Sequence, residues 1–246
     1  MNHAEYVDAI RADGGALATA AANAGVDASV PSCPLWTVAD LLGHLGRIHR
    51  WVASGIVDRA TDRDTHWSQA EPPPANERVE WFAAGVPILA DALADAGPDV
   101  ELWSWTPDTT SGFWARRQAH ETTVHRVDAE SARGGRPGEI APDFAADGID
   151  ELLRGFHRRR KSRVRTDEPR VLRVRATDTD GAVWTVRLSQ EPPAAERDGA
   201  GDTDCELAGP AGQLYLALWN RAPFPNVTGD AAVAALWRER SGVTWS

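Results

Sequence analysis

The chain has 246 residues, of which 42% are hydrophobic, and it carries a net charge of -10 at pH 7. This length allows one large or two small folded domains, the negative charge argues against a general nucleic-acid-binding protein, and no apolar run approaches the roughly 18 residues of a membrane-spanning helix. Because only Cys33 and Cys205 are present and no secretory signal is visible at the start of the chain, we expect no disulfide framework and a cytoplasmic location.

The first half of the chain has the hydrophobic spacing of amphipathic helices. Apolar residues recur three and four positions apart in successive segments, which are separated by loops that contain proline and tryptophan. Thr37 is a candidate N-cap for the second helix, and Gly97-Pro98 is a typical end for the third. The predicted helices span about residues 4–25, 37–60, 76–96, 112–134 and 143–162.

After Pro169 the pattern changes to the alternation of apolar and polar residues that is typical of β-strands. Two such runs flank a predicted turn at Asp180-Gly181. A polar loop follows at about 190–202. The remaining predicted elements are a short strand at about 203–208 and two helices at about 210–220 and 230–241.

A basic run, Arg158 to Arg165, lies between these two halves. We interpret it as a solvated helix end that runs into a linker, because no aromatic residues interleave it as they would in a nucleic-acid-binding segment. The sequence therefore predicts two domains without internal repeats. Residues 1–165 are expected to form an all-α bundle, and residues 166–246 a small α+β domain.

The fourth predicted helix carries two candidate metal ligands, Glu121 and His125. Their spacing of four residues places both side chains on one face of a helix, one turn apart. A projection at about 100° per residue puts them on a stripe with Trp114 and Gln118, at the border of the core-facing side. The opposite side is predicted to face solvent and contains Arg116, Thr123, Arg126 and Glu130.

The second predicted helix supplies a third candidate ligand, His44, at the margin of its apolar stripe. Metal sites in helical bundles are built from such inward-facing residues on neighbouring helices, and a carboxylate with two imidazoles suits a divalent ion. His49 and His120 remain alternative ligands. Each motif alone is weak, because an inward histidine can be an ordinary core residue and a Glu–His pair can lie on the surface. The other histidines, which have no partner at ligand spacing, are His3, His66 and His157.

Four further residues near these candidates have two interpretations each. Asp128, one turn past His125, either accepts an imidazole N–H or is an ordinary polar residue of the last helical turn. Trp36 and Trp114 either fill the core or wall the metal pocket, and core packing is the favoured interpretation. Cys33 precedes a helix N-terminus, which would stabilise a thiolate, but a structural role is favoured.

Three parts of the chain carry a family resemblance. Two of them are the N-terminal segments Pro31-Ser-Cys-Pro-Leu-Trp-Thr-Val-Ala-Asp-Leu-Leu-Gly-His-Leu-Gly-Arg-Ile-His-Arg-Trp51 and Phe113-Trp-Ala-Arg-Arg-Gln-Ala-His-Glu-Thr-Thr-Val-His-Arg-Val-Asp-Ala-Glu130. These segments look like the two N-terminal motifs of the mycothiol-dependent maleylpyruvate isomerase family. The tail, with Leu214 to Arg221 and Val227 to Trp237, is similar to that family's C-terminal domain. The resemblance spans nearly the whole chain, and the two N-terminal motifs are specific in combination.

This resemblance implies a DinB-like four-helix bundle that holds a divalent metal, usually zinc, between its helices. The family's His, Glu and His ligands fall on His44, Glu121 and His125, the residues that the helical projection also selects. An arginine of the family's C-terminal domain takes part in the isomerase reaction, and Arg221 is the position that matches it. Mycothiol as thiol cosubstrate and a small-molecule substrate are likewise implied by the resemblance, for a monomer or homodimer.

Three protein ligands leave at least one coordination position open, which is typical of a catalytic metal. A metal-bound thiol has a lowered pKa and is available as thiolate at neutral pH. Addition of a thiolate to an alkene such as maleylpyruvate, rotation and elimination would give the trans isomer, and Arg221 would pair with a substrate carboxylate. S-transfer is an alternative outcome of the same chemistry. The other hypotheses are a metal-dependent hydrolase, a non-catalytic metal- or ligand-binding protein, and a purely structural protein without metal.

Overall fold

The structure is a computed structural model that describes residues 1–63, 70–197 and 199–242. Contacts between Cα atoms divide the chain into two compact units, residues 1–138 and residues 139–246. The first unit is helical and the second combines helices with a mixed sheet, which confirms the predicted fold class. His66 lies outside the described residues.

Four long helices form the first unit: α1 (His3–Ala24), α2 (Val38–Val57), α3 (Arg78–Ala96) and α4 (Ser111–Ala132). They pack as a bundle in which α1 contacts α3 and α4 while α2 contacts the same two helices. Thr37 is the N-cap of α2, as predicted, and its side chain accepts a hydrogen bond from the Asp40 backbone N–H. A short 3-10 turn, Ala75–Glu77, precedes α3.

The bundle core is built from the apolar stripe of α2 and its counterparts on the other helices. Leu41, Leu45 and Val52 of α2 are fully buried, at the three- and four-residue spacing that the sequence shows. Close packing of α2 on α3 depends on Gly46, because a Cβ atom there would lie 2.3 Å from the Trp81 ring. The glycine thus brings α3 against the helix that carries His44.

On the far side of α4, Thr123 and Arg126 are buried and Arg116 and Glu130 are half-buried, so the prediction that this side faces solvent is wrong. Thr123 is 1% exposed and Arg126 is 6% exposed, because α1 packs along this side of the helix. Asp13 of α1 accepts a hydrogen bond from the Thr123 hydroxyl and pairs with Arg126 Nε at 3.1 Å. The helical projection did not predict the burial of these residues, because polar residues that pair across a helix interface have the same sequence pattern as solvated ones.

The second unit begins with α5 (Pro142–Asp150), which continues as the π-helical segment Glu151–Phe156. The helix therefore ends before the basic run, whereas the sequence predicted it to about residue 162. The remaining elements are β1 (Arg170–Ala176), β2 (Val183–Leu188), β3 (Ala194–Glu196), β4 (Cys205–Gly209), α6 (Ala211–Leu218), β5 (Val227–Gly229) and α7 (Ala231–Arg240). The five strands form one sheet in the order β3-β2-β1-β4-β5, with β1 and β4 parallel and the other neighbours antiparallel.

Two features of this unit differ from the sequence-based expectation. The edge strands β3 and β5 were not predicted, because a strand of three residues is too short to show an alternating pattern. The contacts also place the division between the units before α5, whereas the sequence indicated a boundary near residue 165. The observed boundary lies there because α5 packs on α6. The sequence placed α5 with the bundle because the helical periodicity of α5 resembles that of the bundle helices.

Among the described residues, no helix combines sufficient length with sufficient hydropathy to cross a bilayer.

Candidate metal centre

His44, Glu121 and His125 come together inside the first unit. One ligand atom from each residue lies within 4.8 Å of the others. Glu121 Oε1 is 3.3 Å from His125 Nε2 and 3.7 Å from His44 Nε2. The two residues from α4 and the one from α2 thus meet as the sequence predicted, because α2 packs on α4.

The cluster is closed on the α4 side and more open on the α2 side. The side chains of Glu121 and His125 are 5% and 2% exposed, whereas that of His44 is 12% exposed. His44 is nevertheless buried enough that the loss of solvation lowers its pKa, despite the nearby Glu121 carboxylate. A neutral imidazole is the form that binds a metal ion, so this shift favours ligation.

Arg117 holds one oxygen of Glu121. Arg117 lies one turn before Glu121 on α4 and is 2% exposed, and its guanidinium donates from Nη2 to Glu121 Oε2 at 2.6 Å. Burial would raise the pKa of Glu121, but Arg117 and the two imidazoles hold that pKa well below its usual range. The carboxylate therefore stays ionised and keeps Oε1 for the imidazole side. Arg117 was not among the residues predicted from the sequence, although its four-residue spacing from Glu121 is visible there.

The remaining oxygen of Glu121 fits a cation. Among the residues that the structure describes, no hydrogen-bond donor meets the buried Oε1 in good geometry. A buried carboxylate oxygen in that condition is costly unless a positive charge compensates it. Two imidazole nitrogens face the same point, and this set of one oxygen and two nitrogens is typical of zinc sites with an open coordination position. The residues present thus fit a divalent metal ion.

Asp128 orients His125. Asp128 is fully buried, and its Oδ2 lies 2.9 Å from His125 Nδ1 while its Oδ1 accepts a hydrogen bond from the Ser32 hydroxyl. Burial would lower the pKa of His125, but Asp128 and Glu121 outweigh it and raise the pKa. A raised pKa favours the imidazolium, so a metal ion that binds here would displace the Nε2 proton. The Nδ1 proton stays donated to Asp128, and the Nε2 lone pair then faces the cluster. This geometry supports the imidazole-partner interpretation of Asp128, while Ser32 was not identified from the sequence.

We predict that Asp128→Asn will weaken metal binding about 10–100-fold, the usual effect of losing a carboxylate partner of a ligating histidine. Dissociation constants measured by competition with a chromophoric chelator will show the change. Asp13→Asn is the matched control, since it makes the same substitution on the α1 side of α4 and should leave the constant unaltered. Equal constants for Asp128→Asn and the wild type would contradict the orienting role.

Trp36 lies against the cluster, whereas Trp114 lies in the core. The Trp36 ring centroid is 4.8 Å from that of His44 and 6.2 Å from that of His125, and the residue is half-buried. Trp114 is fully buried and donates from Nε1 to the Trp103 carbonyl at 2.8 Å. The favoured core interpretation is therefore confirmed for Trp114 and wrong for Trp36, whose loop before α2 carries it onto the imidazoles.

The alternative histidines lie elsewhere. His49 is fully buried with Nε2 3.0 Å from the Thr122 hydroxyl, and burial lowers its pKa to about 3. His120 is fully buried and packs edge-on against Tyr6 of α1 at 6.2 Å. The cluster of ligand atoms found among the described residues contains neither of them. Both are core histidines by position.

Arg221 and Cys33, two further candidate residues, both lie in loops. Arg221 follows α6 in the second unit, is half-buried, and donates from Nη1 to the Trp219 carbonyl at 2.8 Å. Cys33 lies in the loop between Ser32 and Trp36, and its carbonyl accepts the Trp36 backbone N–H at 2.8 Å. Both cysteines are among the described residues, and neither forms a disulfide.

Comparisons with known proteins give a consistent family. The model of the mycothiol maleylpyruvate isomerase N-terminal domain matches residues 7–130, and that of the corresponding C-terminal domain matches residues 143–236. A search of curated proteins finds no match.

Two solved structures share the fold. One is a crystal structure of a mycothiol-dependent maleylpyruvate isomerase, with a TM-score of 0.59, 14% identity and coverage of 93% of this chain and 92% of the other. A histidine-to-alanine mutant of such an isomerase gives a TM-score of 0.60, 13% identity and 90% coverage of both chains. Because the two domain models together span most of its length, this chain belongs to the mycothiol maleylpyruvate isomerase family.

Proposed function

We propose that this protein is a metal-dependent enzyme that uses mycothiol as a thiol cosubstrate. His44, Glu121 and His125 would hold a divalent ion, which we expect to be zinc. The observation that carries the proposal is the convergence of three ligand atoms within 4.8 Å around a buried carboxylate oxygen. Membership of the family and the names of its solved relatives support mycothiol as the thiol.

A divalent ion in this site would lower the pKa of a coordinated thiol and so supply thiolate at neutral pH. The chain's own residues prepare for that role. Arg117 fixes the Glu121 carboxylate, Asp128 fixes the His125 ring, and the Trp36 ring packs against both imidazoles. Preorganised ligands of this kind avoid the cost of ordering them when the metal binds.

The proposed substrate is a small electrophile that carries a carboxylate, such as maleylpyruvate. Thiol addition followed by elimination would isomerise a cis alkene, and addition without elimination would be S-transfer. We assign Arg221 the task of pairing with the substrate carboxylate, because a guanidinium binds a carboxylate through two parallel hydrogen bonds. A cytoplasmic location and a monomeric or homodimeric state complete the proposal.

We expect purified protein to contain a divalent metal and to isomerise maleylpyruvate only when mycothiol is added. In the same assay, Arg221→Ala should lower kcat/KM by at least about 10–100-fold, since it removes two hydrogen bonds and this is the usual cost of losing one to a charged group, while metal content stays unchanged. Arg240→Ala is the matched control, because Arg240 is exposed and pairs with its neighbour Glu239. The measurements are metal analysis and the absorbance change of the substrate.

Other outcomes would point to other functions. Turnover of ester or amide substrates that needs metal but not mycothiol would indicate a hydrolase on the same bundle. Metal binding without turnover of any of these substrates would indicate a binding protein. An Arg221→Ala variant with unaltered isomerase kinetics would remove this residue from the active site.

A further inference from the structure

The metal cluster lies at one end of an interface between α2 and α4. At the other end Trp51 of α2 packs edge-on against Trp114 of α4, with ring centroids 5.4 Å apart. His44 and Trp51 are about two helical turns apart on α2, as are Glu121 and Trp114 on α4. The two helices therefore run antiparallel here, and the residues midway between these contacts face each other.

Gln118 occupies the midway position on α4. It lies one turn from Trp114 and one turn from Glu121, on the stripe that carries both. The residue is 2% exposed, and its amide oxygen Oε1 is buried without a hydrogen-bond partner among the described residues. On the α2 side of the interval, Ile48 and Trp51 are half-buried and so keep some exposed surface.

An unpaired buried amide oxygen is uncommon, because burying it without a partner destabilises the folded protein. Replacement of the glutamine by an apolar residue of similar length would relieve that cost, so stability alone does not favour Gln118. Its place one turn from Glu121 corresponds to about 5 Å along the helix axis. A molecule whose thiol reaches the cluster can therefore extend a polar group to this oxygen.

On the basis of the proposed thiol-dependent function, we propose that Gln118 is a specificity-determining residue for the thiol cosubstrate. Its Oε1 accepts a hydrogen bond from an amide N–H or hydroxyl that lies a few bonds from the sulfur. A site with a buried acceptor discriminates against analogues that lack the donor, because the acceptor then stays unpaired. Thiols with a neighbouring amide N–H are bound in preference to simple alkyl thiols.

The test uses Gln118→Met, which keeps the length of the side chain and removes the unpaired oxygen. Binding of three thiols to zinc-loaded protein is measured by isothermal titration calorimetry: mycothiol, N-acetylcysteine, and 3-mercaptopropionate, which equals N-acetylcysteine without its acetamido group. We expect Gln118→Met to weaken mycothiol and N-acetylcysteine about 3–10-fold and to leave 3-mercaptopropionate unchanged. The melting temperature of the thiol-free protein should rise by about 2–4 °C, and metal content should not change.

Gln213→Met, at an exposed position of α6, is the control and should alter none of these values. Equal weakening of all three thiols, or no weakening of N-acetylcysteine, would overturn the role of Gln118. A lower melting temperature with unaltered thiol affinities would instead show a structural glutamine. If the wild-type protein binds zinc but none of the thiols, the proposed function itself fails and this inference fails with it, which the wild-type titration alone reveals.

Discussion

Glu121→Gln is expected to remove most of the bound metal from this protein. The substitution keeps the shape of the side chain but replaces the anionic oxygen that faces His44 and His125 with a neutral amide. Loss of a ligand should exceed the about 10–100-fold loss of affinity that follows from losing an outer partner. Metal analysis of freshly purified protein and chelator competition will measure the effect, and His44→Ala and His125→Ala should act in the same direction.

Two histidine variants serve as controls for these measurements. His49→Gln changes the buried rival on α2, whose ring contacts Thr122 instead of the cluster. His3→Gln changes a histidine at the start of α1 that contacts the Leu93 carbonyl. Both should retain wild-type metal content. Full metal content in any of the three ligand variants would show that this residue is not a ligand. Metal loss in His49→Gln would make His49 a ligand candidate again.

Arg117→Met should cause the largest loss of stability of any substitution considered. It leaves the Glu121 carboxylate buried without its cation, and breaking a buried ion pair in this way costs about 3–5 kcal/mol. The free energy of unfolding of the metal-free protein, measured by urea denaturation at pH 7, will report the loss. Arg187→Met is the matched control, because Arg187 pairs with Glu196 at 3.1 Å with both side chains more than half exposed, and such a pair contributes at most about 1 kcal/mol.

The pH dependence of this effect has a definite sign. In the wild type, the pKa of Glu121 lies well below its usual range, so the carboxylate stabilises the fold above its unfolded-state pKa, and this contribution is lost as the pH falls through the folded-state pKa. Without Arg117, the largest cause that lowers this pKa is lost while burial still raises it, so the pKa of Glu121 should rise and the variant should lose most stability at neutral pH. The stability difference between the two proteins should therefore shrink as the pH is lowered.

The double variant Arg117→Met, Glu121→Gln separates the charge effect from a packing effect. It removes both charges, so most of the lost stability should return even though the packing around position 117 is still altered. A double variant as unstable as Arg117→Met alone would show that packing, and not the uncompensated carboxylate, is responsible. A stability difference that is the same at neutral and acidic pH would contradict the electrostatic explanation.

Much of the site could be predicted because its spacing is local. Glu121 and His125 share a face of α4 through a four-residue spacing, and His44 lies at the edge of an apolar stripe on α2. Helical geometry makes both facts readable from consecutive residues. Arg117 has the same four-residue spacing from Glu121, so the pairing of these two residues could also have been predicted. Basic residues near acidic ones are so common on helices, however, that the pattern does not separate a buried ion pair from a surface ion pair.

The less predictable parts depend on segments that are distant in the chain. The loop before α2 carries Ser32 to Asp128 and Trp36 to the imidazoles, and no periodicity indicates where a loop will lie. The burial of Thr123 and Arg126 depends on Asp13 of α1, which is 110 positions from Thr123 along the chain. Both kinds of contact join segments whose mutual position exists only after the bundle has formed.

The sequence by itself indicated the four bundle helices, the change to strands after Pro169, and the three candidate ligands, because hydrophobic periodicity and spacing within a helix are properties of neighbouring residues. Only the tertiary structure decided which faces are covered and which polar atoms find partners. It assigns α5 to the second unit through α6, gives Asp128 its two partners, and leaves Gln118 Oε1 without one among the described residues. The physical reason is that burial and hydrogen bonding depend on the packing of whole elements, whereas helix and strand formation responds first to the local pattern.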